Sequence, residues 1–277
     1  MTKKSASELK KRVTTGVIGG TLLLAVIIWG GWIGIFLISV IISLGMVAEY
    51  ANITLSLSDK AEKRLVLLCM AWFVHLANLL ASAAKGEIAV LCFLAVFTYF
   101  LVTAVRFDGE NFAGHFKELT FVVFGSAYLI FMPLFLPLVH QSLNGVNWTI
   151  LFLLIVWSGD TGAYFAGKKY GKMKLYPKIS PKKTVEGAVG GLAAGVIVTL
   201  LYKVIVFRAL GWGSILIVPI IVGAASQVGD LCESLVKRAF GVKDSGSILP
   251  GHGGFLDRFD GVVFSLPVMY ACTRLFG

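Results

Sequence analysis

The sequence predicts an all-α integral membrane protein of about nine transmembrane helices. Of its 277 residues, 57% are apolar and only 14% are charged, against about 25% charged in an ordinary soluble domain. The apolar residues fall in long runs, each close to the length that crosses a hydrocarbon core of about 30 Å as a helix. The runs lack the polar alternation of barrel strands. Helices are therefore the one remaining way to satisfy every backbone group in lipid.

The spans fall at about 13–29, 32–51, 64–84, 87–105, 119–139, 148–167, 187–207, 212–236 and 261–276. The first follows a basic segment, Met1 to Arg12. It is read as a transmembrane helix and not a signal peptide, because the apolar stretch is too long and no cleavage site closes it cleanly. The first two spans join tightly through Gly30 and Gly31, and span 8 is long enough to project beyond the lipid.

The basic residues fix the expected orientation. With the N-terminus in the cytoplasm, 21 of the 25 Lys and Arg lie inside. Only Lys85, Lys203, Arg208 and Arg274 lie outside, and so does the C-terminus. The net charge of +10 thus reads as orientation and contact with anionic lipid, with no nucleic-acid partner. Cys69, Cys92, Cys232 and Cys272 form no CxxC pair and read as small apolar packing residues.

The chain divides into an N-terminal transmembrane region, 1–147, and a C-terminal catalytic region, 148–277. The latter carries two polar cytoplasmic loops, 168–186 and 237–260, which hold 11 of the 25 basic residues. The spans before these loops carry acids within apolar sequence: Asp160 in one, Asp230 and Glu233 in the other. A carboxylate at membrane depth costs about 2.5–3.5 kcal/mol on insertion scales, so it is rarely idle. Asp230, Glu233 and Lys237 are spaced i, i+3 and i+7 and share a helix face, with Ser226 and Ser234 near it.

The second loop, Lys243 to Gly261, is rich in glycine. Gly246, Gly251, Gly253 and Gly254 allow close backbone approach to an anion. Asp257 and Asp260, three apart, share a face at the start of the last span. Paired oxygen ligands of this kind suit a hard divalent cation such as Mg²⁺. In the first loop, Lys178, Ser180, Lys182, Lys183 and Thr184 suit phosphate. Carboxylates for a metal beside lysines for phosphate, at a cytoplasmic membrane surface, point to phosphoryl or nucleotidyl transfer involving a lipid. Glu49, at the end of span 2, reads as an interfacial anchor, and His75, His115 and His140 are given no role.

Ser234, Lys237-Arg238, Lys243-Asp244, Gly246, Leu249-Pro250, His252-Gly253-Gly254-Phe255 and Asp257-Arg258-Phe259-Asp260 together resemble the signature of the phosphatidate cytidylyltransferases. The segments SGDTGAYFAGKKYGK and SPKKTVEGAVGG, beginning at Ser158 and Ser180, are similar to that family too. The resemblance covers roughly residues 157 to 261. It implies that CTP and phosphatidate give CDP-diacylglycerol and pyrophosphate at the cytoplasmic face of the cell membrane. It also implies Mg²⁺ with a second cation, K⁺, and places the metal-binding acids at Asp230, Asp257 and Asp260.

On this reading Lys237, Arg238, Lys243 and Arg258 neutralise the leaving pyrophosphate, and Asp244 orients Lys243 or a metal-bound water. Asp160, Ser180, Lys182, Lys183, Thr184, Glu186, Ser234, His252, Gly253 and Gly254 complete the substrate-binding set. Membrane lipids are the other expected partners, and a homodimer is admitted. The rival readings are a CDP-alcohol phosphotransferase, whose DGxxAR and GxxxDxxxD motifs are absent, and an ion-coupled transporter, whose internal repeats are not evident.

Overall fold

Lipid offers no partner for a free backbone N–H or C=O, so the apolar runs close into helices. The computed structural model describes residues 16, 18–55, 60–80, 85–106, 112–246 and 253–277. Among the described residues ten α-helices follow in order: α1 (Ile18–Trp29), α2 (Gly31–Thr54), α3 (Lys60–Leu80), α4 (Lys85–Arg106), α5 (Phe112–Gly125), α6 (Phe135–Gln141), α7 (Gly145–Tyr170), α8 (Val185–Ile205), α9 (Ser214–Ala239) and α10 (Leu256–Phe276). One antiparallel hairpin, β1 (Lys174–Tyr176) and β2 (Ser180–Thr184), sits between α7 and α8.

Among the described residues, six helical stretches are long and apolar enough to cross a membrane, and Ile18–Trp29 and Val90–Thr103 are shorter apolar helices. The protein is thus an all-α, multi-pass membrane protein. Its outward surface agrees: Ile33, Leu37 and Ile41, one turn apart on α2, are each more than half exposed, as expected of a face solvated by lipid. Two buried clusters hold the helices together. One gathers α2 to α5 around Met46, Met70 and Leu129. The other gathers α7, α9 and α10 around Trp148, Val218 and Met269. Helices α2 and α10 contribute to both through Ile35, Met46, Val263 and Leu266.

The stretch expected as one span at 119–139 lies within one helical run, Ala113–Gln141, whose winding is irregular. Helix α5 widens into a π turn at Ser126–Phe131 and tightens into a 3₁₀ turn at Met132–Leu134 before α6 begins. The cause is Pro133 and Pro137, which lack the N–H groups that would bond Leu129 and Pro133 four residues back. Two serines one turn apart on α2 replace those donors. Ser43 Oγ donates to the Leu129 carbonyl at 2.7 Å, and Ser39 Oγ to the Pro133 carbonyl at 2.7 Å.

Helices α7 and α8 run antiparallel at very close range. A Cβ on Gly162 would lie 2.5 Å from the Ala194 Cβ and 2.8 Å from the Gly190 carbonyl oxygen. Small residues at the interface are how membrane helices gain contact where no hydrophobic force drives them together. The connection expected as a polar loop at 168–186 contains the β1–β2 hairpin, with Lys174 opposite Thr184 and Tyr176 opposite Ser180. Thr184 ends it and caps α8, its Oγ1 accepting from the Gly187 N–H at 3.1 Å.

Gly162→Leu should overpack the α7–α8 contact and destabilise the fold by about 1–3 kcal/mol. A lowered thermal midpoint of the detergent-solubilised protein is the check.

Candidate active site

Three ends of chain meet at the site: the C-terminal part of α9, the first turn of α10, and the α7–hairpin–α8 unit. Helices α9 and α10 touch where neither has a side chain. A Cβ on Gly229 would lie 2.8 Å from the Asp260 carbonyl oxygen, and one on Gly261 2.6 Å from Ser226 Oγ. That close approach brings Asp230 and Asp260 into the lining of one cavity of about 260 Å³, which Asp160, Glu233, Lys237, Asp257 and Arg258 also line.

Asp257 is the most heavily bonded of these acids. Its Oδ1 accepts from Lys237 Nζ at 2.6 Å. Its Oδ2 faces the Ser245 N–H at 3.1 Å, Ser245 Oγ at 2.9 Å and the Gly254 N–H at 3.2 Å. Lys237 Nζ also meets Glu233 Oε2 at 2.6 Å, one helical turn back on α9. The i, i+3, i+7 face expected for Asp230, Glu233 and Lys237 is therefore real, and its ammonium bridges two carboxylates. Asp230 takes a different cation: Lys183 Nζ of the hairpin, 2.6 Å from Oδ2. Ser234 Oγ lies 3.5 Å from Asp230 Oδ1.

A second cavity, of about 440 Å³, opens between α7, α8 and α9. Its wall is mostly apolar, including Ile155, Val156, Ala163, Leu175 and Pro219, while Lys168, Lys182, Lys183 and Thr184 lie among its lining residues. Val156, Asp160, Ser226 and Asp230 line both cavities, so the acidic and the apolar space share a wall.

Other expected site residues lie elsewhere. Arg238 binds backbone: its Nε donates to the Ile179 carbonyl at 3.3 Å and its Nη1 to the Val242 carbonyl at 3.3 Å, tying the hairpin turn to the chain after α9. Glu186 accepts the Met173 N–H at 3.1 and 3.2 Å and braces the base of the hairpin. Lys243 and Asp244 are exposed, and with Ser180 they line neither cavity. Gly253 takes a positive φ of 85°, and the Gly254 amide serves Asp257. His252 lies outside the described residues.

The oxygen donors suit a hard cation in kind. Among the described residues, no three acidic, Cys or His side chains converge closely enough to hold a metal ion. Lysine ammonium groups meet Asp230, Glu233 and Asp257 instead.

Two residues at the site were given no site role from sequence. Glu49 of α2 is only 2% exposed and reaches the signature loop: its Oε2 accepts from Ser245 Oγ at 3.0 Å and the Leu256 N–H at 2.9 Å. It is no interfacial anchor. The signal was present, since Glu49 is an acid within apolar sequence just as Asp160 is. Tyr128, in the π turn, donates to the Asp260 carbonyl at 2.8 Å. Nothing in the sequence marked it.

Over residues 10–276 the chain matches the cytidylyltransferase family. It belongs to that family. It is 32% identical over 276 residues to the phosphatidate cytidylyltransferase of Bacillus subtilis (strain 168), covering 97% of this chain and 99% of the relative. It is 35% identical over 271 residues to that of Brucella suis biovar 1 (strain 1330), covering 98% and 95%. The phosphatidate cytidylyltransferase of Staphylococcus saprophyticus is 42% identical over 172 residues, 62% of this chain and 63% of that protein. Family membership thus spans both buried clusters and both cavities.

Lys237 is the keystone of this charge arrangement. Lys237→Met should leave Glu233 and Asp257 facing each other without a cation, a loss of about 3–5 kcal/mol by analogy with other broken buried pairs. Thermal unfolding is the check, with Lys237→Arg expected to lie between Lys237→Met and the wild type.

Proposed function

We propose that this protein is a phosphatidate cytidylyltransferase, making CDP-diacylglycerol and pyrophosphate from CTP and phosphatidate in phospholipid biosynthesis. The observation that carries the reading is the shared wall of the two cavities. A lipid phosphate with apolar tails and a polyphosphate need unlike surroundings a bond length apart, and Asp160 and Asp230 lie between two such spaces. The names of the relatives point to the same substrates.

On this reading the apolar cavity takes the phosphatidate. Its tails lie along Ile155, Leu175 and Pro219, and its phosphate meets Lys168, Lys182 and Lys183. The acidic cavity takes the CTP phosphates, with Lys237 and Arg258 toward the pyrophosphate. An oxygen of the lipid phosphate attacks the α-phosphorus of CTP, that O–P bond forms, and the bond from the α-phosphorus to the bridging oxygen breaks. A phosphate monoester has a second pKa near 6, so the nucleophile is already largely ionised and needs no strong base. The task of the chain is to hold two polyanions in line.

Asp230, Asp257 and Asp260 do not converge on one point while Lys183 and Lys237 hold Asp230 and Asp257. Freed of those lysines they would be the oxygen ligands for Mg²⁺ and K⁺, whose chemistry would be charge neutralisation. Lys183 would then serve the lipid phosphate and Lys237 the pyrophosphate.

The same reading places the protein in the cell membrane with nine spans and the N-terminus in the cytoplasm. The site then faces the compartment that holds CTP, residues 1–147 form the supporting region and 148–277 the catalytic one. The large excess of Lys and Arg on one side of that topology supports it.

Purified protein given CTP, phosphatidate and Mg²⁺ should form CDP-diacylglycerol. Asp257→Asn and Asp260→Asn should each lower turnover on the order of 10²–10³-fold, the range seen when a group that stabilises transition-state charge is removed. Wild-type turnover in either variant would refute the assignment of these acids.

A further inference from the structure

We infer that Glu49 is a positioning residue for the catalytic acids, acting on Asp257 through Ser245 and on the start of α10 through the Leu256 amide. The inference rests on the reading of Asp257 as a cation ligand.

Helix α10 has no side-chain cap of its own. The residue before its first turn is Phe255, and the first amides of a helix have no partner of their own. Glu49 supplies one from the other half of the molecule, 207 positions away, by accepting the Leu256 N–H at 2.9 Å. A carboxylate at a helix N-terminus also meets the positive end of the helix dipole. The same oxygen is 3.0 Å from Ser245 Oγ, which is 2.9 Å from Asp257 Oδ2. The single hydroxyl proton of Ser245 therefore lies between two carboxylates, and moving either one moves the other.

Sterics close the arrangement. A Cβ on Gly246 would fall 2.5 Å from Glu49 Oε1, and one on Gly254 would strike both Ser245 Oγ and the Glu49 carboxylate. Two glycines of the signature thus flank the Glu49 carboxylate. Their use is to admit an acid from α2, in addition to any backbone approach to substrate. Glu49 fixes where α10 starts, and with it the positions of Asp257 in the first turn and Asp260 one turn on. It touches neither cavity among the described residues, so it acts through its neighbours.

The test uses the full chain in detergent and reads Mn²⁺ binding by electron paramagnetic resonance without substrates, alongside kcat and KM. Glu49→Ala should weaken Mn²⁺ binding and lower kcat together, each by about 10–100-fold, as loss of an outer partner of a metal ligand does. The KM for phosphatidate should stay unchanged, because Glu49 does not line the apolar cavity. Glu49→Gln keeps an oxygen that accepts both hydrogen bonds and should restore most of both. If Glu49→Ala does not fold, Ser245→Ala breaks the link to Asp257 alone and carries the same expectation.

Unchanged Mn²⁺ binding in the folded alanine variant would overturn the inference. So would a glutamine variant as impaired as alanine, since charge and not hydrogen bonding would then be at work. A wild type that binds no Mn²⁺ would overturn the cation reading of Asp257, and this inference with it.

Discussion

The Lys237 ammonium, set between Glu233 and Asp257 at 2.6 Å from each, is the contact on which the site is built. Carboxylates beside a membrane core cost too much to stand unpaired, and repulsion between two of them would push α9 and α10 apart. One cation answers both problems and joins the end of α9 to the start of α10. The loop between these helices is then held at its two ends, by Ser245 and Gly254, both bonded to the same Asp257 oxygen.

A second cation joins the other half of the site. Lys183 reaches Asp230 because the β1–β2 hairpin is short and because α7 and α8 pack closely enough to aim it. Arg238 and Glu186 serve that aim as braces of the hairpin. The same arrangement leaves an apolar cavity beside the hairpin lysines and an acidic one beside α10, divided by Asp160 and Asp230. The division suits a reaction between a lipid phosphate and a nucleotide, each of which needs its own solvent.

Much of this was legible in the sequence, for a physical reason. Residues that share one helix face, such as Asp230, Glu233 and Lys237, or Asp257 and Asp260, announce themselves by spacing. Acids within apolar runs announce themselves by cost. What spacing cannot show is a partner from far along the chain: Glu49 meets Ser245 across 196 positions, and Tyr128 meets Asp260 across 132. Nor does hydropathy register an irregular turn inside a span whose missing donors are replaced by serines of another helix, as Ser39 and Ser43 do between α5 and α6. Residue type alone does not show that the Arg238 guanidinium, which suits phosphate in general, meets the Ile179 and Val242 carbonyls here.

On this mechanism the nucleotide's α-phosphorus passes to a lipid phosphate across the wall between the two cavities. Position-specific labelling of CTP tests it most directly, with purified protein, phosphatidate and Mg²⁺. The account requires the α-phosphorus label to appear in chloroform-soluble lipid and the γ-phosphorus label to appear only in pyrophosphate. A γ-label in the lipid, or an α-label that stays in the aqueous phase while CTP is consumed, would contradict it.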